Sequence, residues 1–384
     1  MRFCLAPSMM PGHVLAFLPL VRELVGRGHC VLFCAEPWAA RLGREAGAEG
    51  VDVVDYSATR RLSAKDSRKG RGHVAAEFAR RGARRLMRTL EREPVHAALV
   101  DQMNPGAALV MRRLDVAWAS LAIGPALSSP TMRDWPSAVP LGALRRELGL
   151  PASHQDSLLQ GLSPRLHFLP WVASLDVFPA PPQGLHVGTM TGENAGRPPR
   201  WLSDPADVRP RLLVSSSTSA ARNLRRKTGE FVSRLLSELD GFESRVLVTG
   251  EAPLGGRRAR GVELRFAAFA DHSSLMPHFD LVVTHGGWGT IMSALRHAVP
   301  VLVAPFERDQ PFNGRLCRER GLGLVVDPRR APRGRVRRAV EELLTWRRSR
   351  RAALDKTARE IARAGGVRVV ADALVALAGG ARGV

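Results

Sequence analysis

The stretch VVTHGGWGT, residues 282–290, predicts a strand, a tight glycine turn and the start of a helix. The apolar run before His285 is typical of a buried strand, and apolar residues at helical spacing follow from Ile291. A helix that begins on such a turn presents free backbone N–H groups and the positive end of its dipole. Because glycines leave room beside the backbone, we expect this turn to hold an anion, and a diphosphate is the natural guest.

The turn supplies side-chain donors as well as backbone N–H groups, because it contains a histidine and a threonine. A second donor loop is expected after the first strand of the C-terminal half, where serines and a threonine follow residues 211–215. An ordinary polar loop is the alternative explanation of that run. The candidate residues for the diphosphate are His285, Gly287, Gly289, Thr290, Ser217 and Thr218.

Alternating strand and helix patterns indicate an α/β fold with two Rossmann-like domains. A strand over 2–6, a helix over 13–25 and a strand over 30–35 form the β-α-β unit of a doubly wound sheet. Glycines and prolines crowd residues 189–210, and the alternation restarts at Arg211. We therefore expect domains over 1–192 and 211–364, joined by a linker over 193–210, with ligands at the carboxyl ends of the strands.

A C-terminal motif resembles the nucleotide-sugar signature of the family 1 glycosyltransferases: the sequence HGGWGT from His285, then Pro300, Pro305 and Asp309-Gln310. Three features resemble the N-terminal half of that family: Pro11-Gly12-His13, Arg27-Gly28-His29 and Asp101. The likeness is strongest to bacterial enzymes that glycosylate antibiotics and other natural products. The resemblance implies the GT-B architecture, in which two Rossmann-like domains face each other across a cleft and a last helix, within 365–384, packs back on the N-terminal domain.

His13 is the candidate general base for such a transfer. It follows the first predicted strand, and an imidazole that titrates near neutrality can take the proton of an acceptor hydroxyl. Asp101 also ends an apolar run, and a carboxylate on the far ring nitrogen would fix the tautomer and stabilise the imidazolium. The resemblance implies the same His–Asp pairing and an inverting transfer. A helix cap and a loop cap are the structural alternatives for these two residues.

The resemblance also implies positions for the rest of the donor. Phe269 would stack on a pyrimidine and the backbone of Ala270 would read its edge, although Phe269 is also a candidate core residue. Asp309 and Gln310 would hold the sugar hydroxyls, with a surface turn as their alternative role. Ser293 stands eight residues after the signature histidine, where relatives that use UDP-sugars have glutamate. Since deoxyribose lacks the 2′ hydroxyl, we expect a dTDP-sugar as co-substrate, with a deoxysugar as the group it carries.

Neither a metal nor another cofactor is expected. Asp-x-Asp, the usual metal-binding carboxylate pair of other glycosyltransferases, occurs nowhere in the chain. The acceptor is expected to be a small-molecule aglycone, bound by irregular segments near 57–72 and 128–157. Four apolar side chains in or near these segments are candidate acceptor contacts, with core packing as the equal alternative: Met103, Trp118, Met132 and Trp135.

Composition limits the other functions. The formal net charge is +21, with 57 Lys and Arg against 36 Asp and Glu, which raises nucleic acid as a partner. The basic clusters lack interleaved aromatic residues, so we do not expect nucleic-acid binding. No apolar run is long enough for a membrane-spanning helix, and the N-terminus lacks the basic region of a signal peptide. Four scattered cysteines suit reduced thiols in the cytoplasm.

Several alternatives stay open at this point. A UDP-sugar 2-epimerase would have two similar domains, and a lipid-acceptor glycosyltransferase at the membrane surface would use the basic clusters. A non-enzymatic alternative is a basic protein that binds nucleotides or nucleic acid. The sequence also leaves the oligomeric state open, with a homodimer as one option.

Overall fold

A computed structural model describes residues 1–52, 71–128, 141–152, 161–191, 198–204, 206–216, 222–250 and 259–380. The chain divides into two compact units. The first unit contains Met1–Pro170, Asp176–Met190 and Gly365–Val384, and the second contains Trp171–Leu175 and Thr191–Ala364. The range 193–210, which we expected to be a linker, therefore belongs with the second unit, and the five residues 171–175 join that unit as well.

The first unit is built on a seven-stranded parallel sheet with the strand order β3-β2-β1-β4-β5-β6-β7. Its strands are β1 (Arg2–Ala6), β2 (Cys30–Ala35), β3 (Glu49–Asp52), β4 (Ala97–Asp101), β5 (Trp118–Leu121), β6 (His167–Leu169) and β7 (Gly184–His186). Its first five helices are α1 (Pro11–Gly26), α2 (Pro37–Glu45), α3 (Arg71–Arg92), α4 (Pro105–Arg113) and α5 (Gly142–Glu147), and a 3₁₀ turn covers Pro125–Ser128.

The second unit has a six-stranded parallel sheet with the order β10-β9-β8-β11-β12-β13. Its strands are β8 (Arg211–Ser215), β9 (Ser244–Thr249), β10 (Val262–Ala267), β11 (Leu281–Thr284), β12 (Val301–Val303) and β13 (Gly323–Val325). Its helices are α6 (Arg200–Ser203), α7 (Arg222–Glu238), α8 (His272–Leu275), α9 (Trp288–Arg296), α10 (Gln310–Glu319), α11 (Arg335–Ser349) and α12 (Arg351–Arg363), with 3₁₀ turns at Ala173–Leu175 and Met276–His278.

A final helix, α13 (Gly366–Gly380), returns to the first unit, as the resemblance implied. It contacts α1 and β4 there. Its apolar face joins the core that α1 forms with the sheet, through Val370, Leu374 and Ala378. The chain enters this helix through Gly365 and Gly366, which both have positive φ, and Gly366 N–H donates to the Val187 carbonyl at 2.9 Å. Glycine fits these two positions because other residues are strained at positive φ.

The central strands are buried on both sides, as expected for parallel sheets covered by helices. The residues of β4 are fully enclosed, and its neighbour β1 is buried from Phe3 to Ala6. Each sheet has a point where the strand order reverses, between β1 and β4 in the first unit and between β8 and β11 in the second. Ligands of doubly wound sheets bind at such switch points, outside the carboxyl ends of the strands.

Some predicted elements differ from the observed ones. Strand β7 forms at residues 184–186, where the sequence analysis predicted no strand. The sequence did not reveal α2, because Gly43 and its basic neighbours weaken the helical pattern. The structure explains that glycine, since a Cβ there would lie 2.6 Å from the Phe33 ring. Within the described ranges, every helix is too short or too polar to cross a bilayer.

Candidate active site

His13 and Asp101 meet at the switch point of the first sheet. Asp101 is the last residue of β4 and is fully buried. His13 lies in the first turn of α1, which begins two residues earlier than the predicted helix, and only 9% of it is exposed. Its Nδ1 is 2.8 Å from Asp101 Oδ2 and 2.8 Å from Ser8 Oγ. The structure therefore brings the two residues together by their side chains.

The contacts of Asp101 assign the tautomer of His13. The carboxylate accepts backbone N–H groups from Ser8 at 3.2 Å and Met103 at 2.8 Å, so it acts as an acceptor toward its surroundings. With an ionised carboxylate, which can only accept, Nδ1 of His13 carries the proton and donates it. The lone pair is then on Nε2, which has no hydrogen-bond partner among the described residues. A neutral imidazole in this tautomer can take a proton at Nε2.

The glycine turn of the second unit lies between β11 and α9, at the switch point of that sheet. Gly287 is the N-cap of α9, which starts at Trp288, three residues earlier than predicted. Gly289 and Thr290 therefore lie in the first turn of the helix, where backbone N–H groups have no intrahelical acceptor. Gly289 is exposed, and a Cβ built on it would meet nothing within 4 Å. These N–H groups are open to a ligand.

Gly286 is required by its backbone conformation, and Gly287 leaves room for a neighbouring side chain. Gly286 has φ +102°, and a Cβ on it would lie 3.0 Å from Val303 Cγ1 and 3.1 Å from Gln310 Cβ. A Cβ on Gly287 would lie 2.9 Å from Nε2 of His285. The absence of side chains thus lets the turn fit against β12 and α10 and lets the imidazole lie close to the backbone.

A buried asparagine that the sequence analysis missed holds this turn. Asn313, on α10, is 0% exposed. Its Nδ2 donates to the Gly286 carbonyl at 2.9 Å and to Asp309 Oδ2 at 2.8 Å. One amide group therefore links the turn to the carboxylate of the predicted sugar site. The sequence shows an asparagine three residues after Gln310. It does not show that this side chain is buried or that it contacts a residue 27 positions away.

Two histidines lie at the carboxyl ends of the second sheet. Nδ1 of His285 is 3.5 Å from the Ser215 carbonyl, and burial lowers the pKa of this imidazole, while Asp309 opposes the shift. His272 is the second histidine and was not assigned a role from the sequence. Its Nε2 is 3.0 Å from Thr249 Oγ1, and burial lowers its pKa to about 4, helped by repulsion from His285. Both rings are therefore neutral near pH 7 in this structure.

Comparisons with known proteins agree with this arrangement. Residues 233–377 match the family described as erythromycin biosynthesis protein CIII-like, C-terminal domain. Over 392 residues, the chain is 26% identical to 4'-demethylrebeccamycin synthase of Lentzea aerocolonigenes, covering 89% of this chain and 91% of that protein. Over 194 residues, it is 32% identical to O-mycaminosyltylonolide 6-deoxyallosyltransferase of Streptomyces fradiae, a match that covers 48% of this chain and 43% of that protein.

The fold is shared with solved glycosyltransferases. The glycosyltransferase VinC, crystallised with dTDP, matches with a TM-score of 0.76 at 19% identity, over 98% of this chain and 99% of that one. The chain is a GT-B glycosyltransferase. The predicted resemblance to the antibiotic glycosyltransferases, the α/β fold class and the enzyme class are confirmed.

The remaining predicted donor residues of the glycosyltransferase lie in different environments. Phe269 is 64% exposed beyond the edge strand β10, so it is not a core residue, and Ala270 is half-buried beside it. Ser293 is 1% exposed on α9, and its Oγ has no hydrogen-bond partner among the described residues. Asp309 is half-buried and accepts from Asn313. Ser217 and Thr218 lie outside the described residues.

Gln310 holds the loop that carries Asp309, and its predicted contact with the sugar hydroxyls stays a prediction. It is 6% exposed, and its Oε1 accepts the backbone N–H groups of Phe306 at 2.9 Å and Glu307 at 3.1 Å. The amide oxygen thus closes the loop between β12 and α10, and it is already occupied by these two donors. The side chain shapes the loop that carries Asp309.

The predicted acceptor contacts also separate into two groups. Trp118 is 4% exposed within β5 and packs in the core with Leu86 and Leu109, so it is a core residue. Met103 is half-buried and follows Asp101, at the edge of the sheet where His13 lies. Met132 and Trp135 lie outside the described residues. The described residues contain no group of three or more His, Cys, Asp or Glu placed to hold a metal ion.

Proposed function

We propose that this glycosyltransferase transfers a sugar, in particular a deoxysugar, from a dTDP-sugar to a hydroxyl group of a natural-product aglycone, with inversion at the anomeric carbon. The observation that carries the proposal is the contact of 2.8 Å between His13 and the buried Asp101 at the switch point of the acceptor-side sheet. The name of the Streptomyces fradiae relative, a 6-deoxyallosyltransferase, and the dTDP complex of VinC support the donor class.

The proposed reaction is a single displacement. Nε2 of His13 takes the proton of the acceptor hydroxyl, and the oxygen attacks the anomeric carbon as the bond to the diphosphate oxygen breaks. Asp101 keeps the proton on Nδ1 and stabilises the imidazolium that forms. Because attack and departure occur on opposite sides of the carbon, the configuration inverts. General-base assistance of this kind contributes about 10²–10⁴-fold to the rate.

The departing dTDP carries the negative charge that develops in the reaction. We propose that the first N–H groups of α9, the side chain of Thr290 and the imidazole of His285 stabilise that charge in place of a metal ion. Asp309 is the proposed partner of the sugar hydroxyls, and Phe269 is the proposed surface for the thymine ring. Since Ser293 is buried and carries no carboxylate, this position supplies no carboxylate to bind a ribose 2′ hydroxyl.

The cysteines and the proposed reaction indicate the location and the partners of this glycosyltransferase. All four cysteines are free thiols, which suits a reducing compartment such as the cytoplasm. The proposed partners are the nucleotide sugar and the aglycone, without nucleic acid or an integral membrane segment, and a homodimer stays an open option.

Replacement of the proposed base tests the mechanism. We expect His13→Ala to lower kcat by at least about 100-fold, because the acceptor hydroxyl loses its proton acceptor. The dissociation constant of dTDP, measured by calorimetry, should change less than about twofold. The assay is release of dTDP from dTDP-glucose with a panel of hydroxylated polyketide and aromatic aglycones.

The matched control is His29→Ala, a histidine of the same unit that packs edge-on against Phe3, with ring centroids 5.4 Å apart. It should retain most of the turnover, since it lies in the turn before β2. Equal activity of His13→Ala and the wild type would remove His13 from the mechanism. Equal loss in both variants would point to the fold rather than to base catalysis.

A further inference from the structure

Glu36 and Trp38 lie at the same edge of the first sheet as His13 and Asp101. Leu5 of β1 pairs with Phe33 of β2, and Ala6 pairs with Val100 of β4. If the register continues two residues on the β2 side and one residue on the β4 side, Pro7 lies between Ala35 and Asp101. Glu36 is the next residue after Ala35, so it leaves the sheet about two strand spacings, or roughly 10 Å, from Asp101.

The side chain of Glu36 does not cap the helix that follows it. Glu36 is the N-cap residue of α2, but its carboxylate makes no cap hydrogen bond to the helix backbone. Instead, its Oε2 accepts the indole N–H of Trp38 at 2.7 Å. The indole itself is 38% exposed, which makes it one of the few large apolar side chains that reach the surface. The pair therefore presents a carboxylate beside an accessible aromatic ring.

Among the described residues, the Glu36 carboxylate has no positively charged partner. In the part of the chain that the structure describes, Glu36 forms no ion pair, and half-burial raises its pKa to about 7, opposed only by the Trp38 hydrogen bond. This is unusual in a chain with 57 basic and 36 acidic residues. Elsewhere in the same unit, Glu147 is contacted by both Arg80 and Arg84. A desolvated carboxylate without a counter-charge, beside a reaction site, is a candidate ligand contact.

We infer that Glu36 and Trp38 form a subsite for a protonated amine, and that the acceptor of this glycosyltransferase carries a basic nitrogen. A cation placed there would supply the missing counter-charge of Glu36 and lie against the aromatic ring of Trp38. Because Glu36 leaves the sheet roughly 10 Å from Asp101, the partner of His13, one small-molecule acceptor can carry both the nitrogen and the hydroxyl that His13 deprotonates. This last step rests on the proposed function, whereas binding of the cation does not.

The binding test uses two probes that share an indole ring and a two-carbon chain. Tryptamine ends in an amine that is protonated at neutral pH, and tryptophol ends in a neutral hydroxyl. We expect the wild-type protein to bind tryptamine at least fivefold more tightly than tryptophol at pH 7.5, as measured by ligand-observed NMR titration. Glu36→Gln should abolish this preference, since the amide keeps the shape and removes the charge.

Glu45→Gln is the matched control, because Glu45 lies at the other end of α2, largely exposed and paired with Arg41. It should keep the wild-type preference for tryptamine. Trp38→Ala, at an exposed position, provides a second variant and should weaken both probes at least threefold. The inference is overturned if the wild type shows no preference, or if the preference survives Glu36→Gln. Since no sugar is transferred, either result leaves the proposed glycosyl transfer to be judged by the His13 experiment.

Discussion

Replacement of Asn313 by leucine is a direct test of how the donor turn is held. The variant keeps a similar volume but removes both hydrogen bonds of Nδ2, to the Gly286 carbonyl and to Asp309. A neutral hydrogen bond contributes about 1 kcal/mol and one to a charged group about 1.5–3 kcal/mol, and the buried carbonyl of Gly286 would be left without this donor. Allowing about 1 kcal/mol for the added apolar burial, we expect the second unit to lose about 2–3 kcal/mol of stability.

Two measurements report this loss. For a unit of this size, a loss of 2–3 kcal/mol lowers the melting temperature by roughly 4–12 °C, which calorimetry resolves. We also expect the dissociation constant of dTDP to rise about tenfold, which corresponds to 1.4 kcal/mol, because the untethered turn occupies conformations that do not bind. Isothermal titration with dTDP measures this change without any acceptor.

The control is Cys317→Ala, because Cys317 lies one turn further along α10 and is 1% exposed. This change should lower the melting temperature through lost packing but leave dTDP affinity within twofold of the wild type, since Cys317 does not contact the turn. The reasoning is refuted if Asn313→Leu binds dTDP as tightly as the wild type. It is also refuted if both variants lose affinity equally, since the loss would then follow from general destabilisation.

The remaining predictions concern the nucleotide and pH. With its buried Ser293 in place of a carboxylate, the enzyme should show a kcat/KM for dTDP-glucose at least tenfold above that for UDP-glucose, and a strong preference for UDP would contradict the donor assignment. His167 is 2% exposed, its Nδ1 is 2.8 Å from Ser120 Oγ, and burial lowers its pKa to about 4. Since the unfolded chain takes up this proton near pH 6.5, the stabilising contribution is complete above that pH and is lost as the pH falls toward 4. Between pH 7.5 and pH 5 the loss of unfolding free energy amounts to about 2 kcal/mol. Urea unfolding of His167→Gln should therefore show an unfolding free energy that depends less on pH than that of the wild type. An unchanged pH dependence would show that His167 is not its source.

The sequence predicted those parts of the fold and site that depend on local pattern. Apolar runs that end in His285 or Asp101 mark strands, and chemistry follows the carboxyl ends of parallel strands. The start of α9 was placed three residues too late, because glycine has poor helix propensity although it fits the first turn beside a ligand. The roles of Trp118 and Gln310 could not be predicted, since each depends on which neighbour the folded chain brings to it.

Asn313 and Glu36 show the same limit in more detail. Asn313 contacts a carbonyl 27 residues away. Glu36 is distinctive because no positively charged side chain among the described residues pairs with it. Neither property follows from residue type or spacing. Long-range hydrogen bonds and the balance of desolvation against pairing are set by tertiary packing, so a single sequence does not reveal them.

The two histidines of the proposed mechanism differ in what each Nδ1 contacts. In His13 it faces the Asp101 carboxylate at 2.8 Å, whereas in His285 it faces the Ser215 carbonyl at 3.5 Å. A carboxylate stabilises the imidazolium and so favours proton uptake at Nε2, which a base requires. A weakly held carbonyl does not offset burial, so His285 stays neutral until an anion arrives. In the proposed mechanism, a bound diphosphate would supply His285 with the negative charge that Asp101 supplies to His13, so an imidazole would act as a base in the first unit and as an anion contact in the second.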